Sequence, residues 1–271
     1  MKQTTKQKLA LLLRRLKLRG PADRALYLVM LVRHSRRNRA FRRMYPDFKL
    51  PPSSLVFEAC NHVNWHEYCV SGQVHARVFG DLIRKWVPAG RISVCEWGCG
   101  PGRIIRHMPG TLQEKQAAFH GTDYDEKCVR WCSENLDGIS FARNDVAPPL
   151  PFDSEKFDCI FGYSVLTHLP EDLCMAWFKE LKRVTKPGGC IIVTTLGERY
   201  RFKLLPDERK QFDAGGMVGR KGGSVGGKCF AAFHPPRYMR EVLFEGCEVL
   251  GHHTEASLTF TGQDVWVVRA R

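Results

Sequence analysis

Between Val94 and Arg103 an apolar run ends in a carboxylate, Glu96, and is followed by three glycines at alternate positions, Gly98, Gly100 and Gly102. Glycine at such positions lets a ligand approach the main chain, because no side chain stands in the way. Dinucleotide and phosphate sites use similar turns. Here, however, the third glycine of a dinucleotide fingerprint would fall at Arg103, and no Gly-Lys-Ser/Thr follows. An acid two residues before the first glycine suits a ligand that carries an ammonium group rather than a pyrophosphate. About 20 residues further on, Gly121-Thr122-Asp123-Tyr124-Asp125 places a second acid where ribose hydroxyls are held. Asp123 taken alone reads equally as a helix N-cap. A third acid, in Asn144-Asp145-Val146, stands where a carboxylate accepts from an adenine amino group.

The elements that must position these residues alternate. Strands are predicted over Ile92–Trp97, Ala117–Thr122, Ile139–Ala142, Phe157–Phe161 and Cys190–Thr195, with helices between. A helix follows the glycine turn, another runs to about Asn135, and a third covers Glu171–Val184. Pro187-Gly188-Gly189 is read as the turn into the fifth strand. Such alternation implies βαβ units and a parallel sheet covered by helices on both faces. The end differs: a helix over Pro236–Leu243 precedes Cys247–Gly251 and Val265–Arg269, read as a hairpin in which Trp266 packs. Before the first strand, Ser71 is expected to cap a helix whose apolar face is Val74, Val78, Phe79, Leu82, Ile83 and Trp86.

On these residues the chain resembles the class I S-adenosylmethionine-dependent methyltransferases over about residues 70–271. The resemblance rests on Glu96–Gly102, Asp123, Asp145, the run from Phe157 to Leu169 and the stretch from Leu181 to Gly189. It implies an α/β fold with a seven-stranded Rossmann-like sheet, last strand antiparallel. It implies S-adenosylmethionine as cofactor, with Glu96, Gly98, Gly100 and Gly102 at the methionine moiety and Asp123 on the ribose. Tyr124 would flank adenine, Asp145 and Val146 would read its edge, and Tyr163 and Ser164 would bound the sulfonium. No metal is implied. Phe233–Met239 and Gly262–Val268 further resemble methyltransferases found among glycosyltransferases and surface-polysaccharide enzymes.

Methyl transfer needs little beyond alignment of acceptor and methyl. An oxygen acceptor also needs a proton removed, and histidine is the usual base near neutral pH. His168, after the fourth strand, and His234, entering the last helix, are the candidates; each also reads as a packing residue. His62, His66 and Glu67 precede the domain and read first as structural. No Asn/Asp-Pro-Pro-Tyr/Phe follows the fourth strand, and there is no Pro-Cys, so amino-group and cytosine-ring methylation of those types are disfavoured. Gly215–Gly227, with seven glycines in thirteen positions, reads as a flexible loop or as a lid whose Arg220, Lys221 and Lys228 close on an anionic acceptor.

Charge divides the chain. Residues 1–50 hold fifteen Lys and Arg against Asp23 and Asp47, a net +13 of the total +14. A basic amphipathic helix is predicted over residues 6–19, stopped by Gly20-Pro21, in an arm of residues 1–52 that precedes the domain at 53–271. The arm suits an anionic membrane surface through residues 1–20, a merely solvated role, or, less well, nucleic acid. The 11 cysteines are odd in number, and neither Cys95/Cys99 nor Cys128/Cys132 has a second ligand pair for zinc. Reduced thiols in a cytoplasmic setting are expected, possible contact with the membrane's inner face included. The reading is a methyltransferase acting on a small-molecule or glycan acceptor at oxygen. The alternatives are an RNA methyltransferase positioned by the arm and a non-catalytic cofactor-binding scaffold.

Overall fold

The computed structural model describes residues 19–220, 230–254 and 262–270, and the chain divides into two compact units, Met1–Cys69 and Val70–Arg271. In the first, α1 (Arg19–Met44) and α2 (Ser53–Cys60) pack through Phe41, Val56, Trp65, Tyr68 and Cys69. Asn38 ties the unit together: its amide donates to the Val63 carbonyl at 2.7 Å and accepts from the Trp65 N–H at 3.1 Å. Tyr27 stacks obliquely on Phe57, with its hydroxyl 2.7 Å from Ser53 Oγ. Gly20-Pro21, expected to stop a helix, lies at the start of the described part of α1. Most of the helix expected over 6–19 lies outside the described residues.

Helix α3 (Trp65–Trp86) gives its first turn to one unit and the rest to the other. Ser71 does not cap it. Asn64 does, accepting from the Glu67 N–H at 3.4 Å, which places Ser71 well inside the helix. The predicted apolar face is the one that packs, with Phe79, Leu82 and Ile83 buried against the sheet.

The sheet of the second unit has the order β3-β2-β1-β4-β5-β9-β8. Its strands are β1 (Ile92–Trp97), β2 (Ala117–Asp123), β3 (Ile139–Arg143), β4 (Phe157–Gly162), β5 (Thr185–Thr195), β8 (Glu248–His253) and β9 (Asp264–Arg269). All neighbours pair in parallel except β9, which runs antiparallel to both β5 and β8. The expected seven strands with the last one reversed are therefore present. Helices α4 (Glu126–Asn135) and α5 (Glu171–Val184) have their expected bounds. The Pro187-Gly188-Gly189 stretch is not a turn before β5 but part of it. The helix expected after the glycine turn is only a 3₁₀ turn, Ile105–His107, and the four residues Met108–Thr111, cut short by Pro109 and Gly110. Helix α6 (Pro206–Asp213) leads to a small separate hairpin, β6 (Val218–Arg220) with β7 (Ala231–Phe233). Pro236–Tyr238 begins α7, which a π-helical turn, Met239–Leu243, continues.

One face of the sheet buries Trp97, Trp177, Phe178, Leu181 and Trp266; the other buries Phe79, Ile83, Ile104, Met108 and Phe161. Asp158, the one charge in β4, accepts from the Ser93 N–H at 2.7 Å and from Lys186 Nζ at 2.8 Å, so it joins β1, β4 and β5. Strand order reverses between β1 and β4, and a crevice opens at their carboxyl ends, where α/β folds bind ligands. The ten described cysteines are free thiols, mostly buried.

At Gly72 of α3 the packing is tight, because an added Cβ would run into the Arg103 carbonyl oxygen. Gly72→Ala is expected to cost about 1–3 kcal/mol, as overpacking does. Gly110→Ala, where a Cβ meets nothing within 4 Å, should be close to neutral. Urea midpoints of the two variants check this, and equal midpoints would remove the close packing of α3 on the turn.

Candidate functional site

The glycine turn closes on itself through main-chain bonds. Gly98 and Gly100 have φ of 73° and 51°, and Gly102 has 74°, a region in which L side chains are strained. The N–H groups of Gly98 and Cys99 both donate to the Thr122 carbonyl, at 2.8 and 3.0 Å, binding the turn to the end of β2. Asp123, at that end, accepts from the Gly100 N–H at 2.7 Å and from the Asp125 N–H at 2.9 Å. Burial raises its pKa to about 6, opposed by those N–H donors. Asp123 is thus no N-cap; Asp125 caps α4, accepting from the Lys127 N–H.

Glu96, at the end of β1, is 2% exposed, and its Oε2 accepts from the Ile105 N–H at 2.8 Å. Burial drives its pKa to about 8, against the charge of Arg103 and that hydrogen bond. Between the turn and β3, Asn144 accepts from Thr122 Oγ1 at 2.6 Å and its amide donates to the Asp145 carbonyl. That bracing leaves Tyr124, Asp145 and Val146 exposed together along the carboxyl ends of β2 and β3. Trp177 holds the segment from below, its indole N–H donating to the Val146 carbonyl at 2.9 Å.

Across the crevice the structure adds a cluster that sequence reasoning missed. Arg103 Nη1 lies 3.3 Å from Ser71 Oγ and 2.9 Å from His75 Nδ1. Its guanidinium stands 5.0 Å from the centre of the Tyr163 ring, against which His75 also packs at 4.5 Å. An arginine only donates, so His75 Nδ1 accepts and its proton sits on Nε2. The signal available was the spacing of Ser71 and His75, four residues apart on one face of α3 around Gly72.

Ser164 follows with φ of 64°, a left-handed conformation uncommon for a residue with a side chain. A closed network holds it. Its N–H donates to Thr194 Oγ1 at 2.7 Å, its Oγ accepts from Gln263 Nε2 at 2.8 Å, and Thr194 Oγ1 donates to Gln263 Oε1 at 2.7 Å. Thr167 donates to the Ser164 carbonyl at 2.6 Å and lies 2.8 Å from its Oγ. Three strand ends, those of β4, β5 and β9, meet here in neutral hydroxyl and amide groups.

The two candidate histidines differ sharply. His168 is half-buried, with Nδ1 3.0 Å from the Phe230 carbonyl. A carbonyl only accepts, so Nδ1 carries the proton in the neutral ring and Nε2 the lone pair. His234 is 0% exposed, with Nε2 3.9 Å from Cys174 Sγ, and burial lowers its pKa to about 3. It belongs to the packing under the loop after β4. Trp266 packs as expected, its N–H on Thr195 Oγ1 at 3.0 Å, and His252 stacks on it at 3.6 Å while pairing with Asp264 at 2.9 Å. Arg220, expected to face an anionic acceptor, is instead paired with Glu208 and lies over the Phe233 ring. Of the lid segment, 215–220 is ordered into β6 and what precedes it; Lys221 and Lys228 lie outside the described residues. His62 and Glu67 pair at 3.8 Å and His66 packs on Phe41, all within the first unit. Among the described residues no group of His, Cys, Asp and Glu could hold a metal ion.

The strand order with its reversed β9, the glycine turn and the acids after β1, β2 and β3 make a seven-stranded Rossmann-like fold of the kind seen in class I methyltransferases. Residues 94–189 match the family model described as a methyltransferase domain. The chain is 32% identical over 107 residues to an uncharacterized methyltransferase of Schizosaccharomyces pombe, covering 36% of this chain and 37% of that one. It is 29% identical over 109 residues to the tRNA (carboxymethyluridine(34)-5-O)-methyltransferase of Arabidopsis thaliana, covering 40% and 24%. The chain thus spans well under half the length of these curated relatives. Magnesium protoporphyrin IX methyltransferase from Synechocystis, solved with bound SAH, shares the fold with a TM-score of 0.53 and 16% identity, over 90% of this chain and 99% of that one.

The buried acids set a pH dependence. A carboxyl whose pKa is higher folded than unfolded binds its proton more tightly in the native state, so stability falls as pH rises between the two values. For Glu96 that window runs from its ordinary value of 4.5 to about 8. Thermal melts of the unliganded protein should therefore show wild type losing stability relative to Glu96→Gln as pH goes from 5 to 8.5. Parallel curves would mean that Glu96 is ionised throughout.

Proposed function

We propose that this chain transfers a methyl group from S-adenosylmethionine to an oxygen of a small-molecule or glycan acceptor. The observation that carries the reading is the pair of buried carboxyl groups, Glu96 and Asp123, on either side of the glycine turn where strand order reverses, with a half-buried histidine, His168, in the turn that follows β4. The donor set fits the cofactor. Glu96 is a carboxyl whose ionised form is disfavoured by burial, and an ammonium group beside it would restore that form. Asp123 uses one N–H on each oxygen and keeps lone pairs for ribose hydroxyls. Tyr124, Asp145 and Val146 offer an exposed wall for adenine. Gly98, Gly100 and Gly102, all at positive φ, hold the turn in shape beside these acids, and Arg103, held by His75 and Tyr163, is the cation for a carboxylate.

When bound, S-adenosylmethionine supplies an electrophilic methyl group on a sulfonium, so the protein's remaining work is alignment and proton removal. Tyr163 and Ser164 would bound that side of the pocket. His168 would take the acceptor's proton at Nε2, its ring oriented by the bond from Nδ1 to Phe230. The neutral hydroxyl and amide groups of Ser164, Thr167, Thr194 and Gln263 suit a hydroxyl-rich acceptor rather than a strongly charged one, and the Arabidopsis relative is named as a 5-O-methyltransferase. An acceptor in RNA is the second reading, favoured by that same relative and by the basic first 50 residues. Incubation with labelled S-adenosylmethionine and fractionated extract tests both: label in glycan or small molecules supports the first, and label in RNA supports the second.

Two substitutions test the residue roles. Asp123→Ala should weaken S-adenosylhomocysteine by about 1.5–3 kcal/mol, the scale of a lost charge-assisted hydrogen bond. His168→Ala at saturating cofactor should lower turnover by ~10²–10⁴ while leaving cofactor affinity intact. His234→Gln, folded to the same extent, should keep turnover within a few-fold. Turnover retained by the His168 variant would remove it as the base.

A further inference from the structure

We infer that the outward face of α1 docks on an anionic lipid surface. The inner face of the helix is defined by its contacts: Tyr27 meets Phe57 and Ser53, Asn38 meets Val63 and Trp65, and Phe41 is buried among Tyr45, Phe48 and His66. The residues opposite, recurring at three- and four-residue intervals, are Leu28, Val29 and Val32, then Arg36, Arg39 and Arg43. The three aliphatics are 61%, 62% and 77% exposed, and the three arginines are exposed as well. Among the described residues none of these arginines has a carboxylate partner within 4 Å. One stripe of the helix is therefore aliphatic for a turn and a half and cationic for the next two.

An anionic bilayer meets both halves. Leu28, Val29 and Val32 enter the boundary between headgroups and acyl chains, while the arginines, long enough to lie along the surface, reach lipid phosphates. Nucleic acid satisfies only the cationic half, because exposed aliphatics offer it neither stacking nor hydrogen bonds. A second copy of the chain fails on charge, since self-pairing of this face brings arginines against arginines. No helix among the described residues is long and apolar enough to cross a membrane, so the attachment is peripheral.

The test is flotation of the full chain with vesicles of phosphatidylcholine alone and of phosphatidylcholine mixed with phosphatidylglycerol. The wild type should partition onto the anionic vesicles and not onto the neutral ones. Each cation near such a surface is worth about 1 kcal/mol, so Arg36→Glu/Arg39→Glu/Arg43→Glu should lower partition by about 100-fold or more. Val29→Ser/Val32→Ser, which leaves the charge untouched, should lower it by about tenfold. All five substituted positions are exposed, so circular dichroism and melting temperature should be unchanged in both variants. Residues 1–18 remain in every variant, and a loss therefore belongs to α1. Wild type that ignores anionic vesicles overturns the inference, as does a valine variant that partitions like wild type. An RNA gel shift abolished by the arginine variant, retained by the valine variant and unaccompanied by vesicle binding would assign the stripe to nucleic acid.

Discussion

Asp123 accepts two main-chain N–H groups, those of Gly100 and Asp125, from inside the protein, and the site is arranged around that arrangement. A carboxylate in that position fixes the glycine turn to the end of β2 while facing the crevice. The turn needs its glycines, because φ is positive at Gly98, Gly100 and Gly102 and an added Cβ would run into Val165 at Gly98 and Leu136 at Gly102. Glu96 plays the matching part at the end of β1, holding the Ile105 N–H where the chain leaves the turn. Both acids are nearly inaccessible and both have raised pKa values, so the unliganded site holds carboxyl groups whose charge awaits a partner.

The walls follow from this floor. Helix α3 reaches the turn only because Gly72 has no Cβ, and that approach carries Ser71 and His75 to Arg103. On the other side, Ser164 is held in a left-handed conformation by Thr194, Thr167 and Gln263, which come from the ends of three elements. One wall is cationic and aromatic, the other neutral and hydroxyl-rich. The difference between them is the physical basis for placing the charged cofactor beside the first and an uncharged acceptor beside the second.

How much of this the sequence disclosed depended on how local each signal was. Glu96, the three glycines, Asp123 and Asp145 sit at strand ends within short motifs, and the structure brings them to one crevice. The strands were legible for the same reason, since apolar runs alternate with helical periods and the two terminal strands read as a hairpin, whereas the reversed last strand came from the resemblance to the methyltransferases. Contacts made across distant segments were not legible. Arg103 with His75, and Ser164 with Gln263, depend on register between elements far apart in the chain. Arg220 shows the converse failure, since a basic residue in a glycine-rich stretch looked available until Glu208 was found beside it. Ser71 misled as a cap because Asn64, seven residues earlier, supplies the capping oxygen.

The central claim is that the crevice binds S-adenosylmethionine and that the buried Glu96 carboxyl ionises on binding. Calorimetric titration of S-adenosylhomocysteine at pH 7, in two buffers of different ionisation enthalpy, measures affinity and proton exchange together. The account predicts saturable binding with net proton release, because Glu96, with a pKa of about 8 when buried alone, gives up its proton beside the ligand's ammonium. Absence of binding, or binding with no proton released, would contradict it.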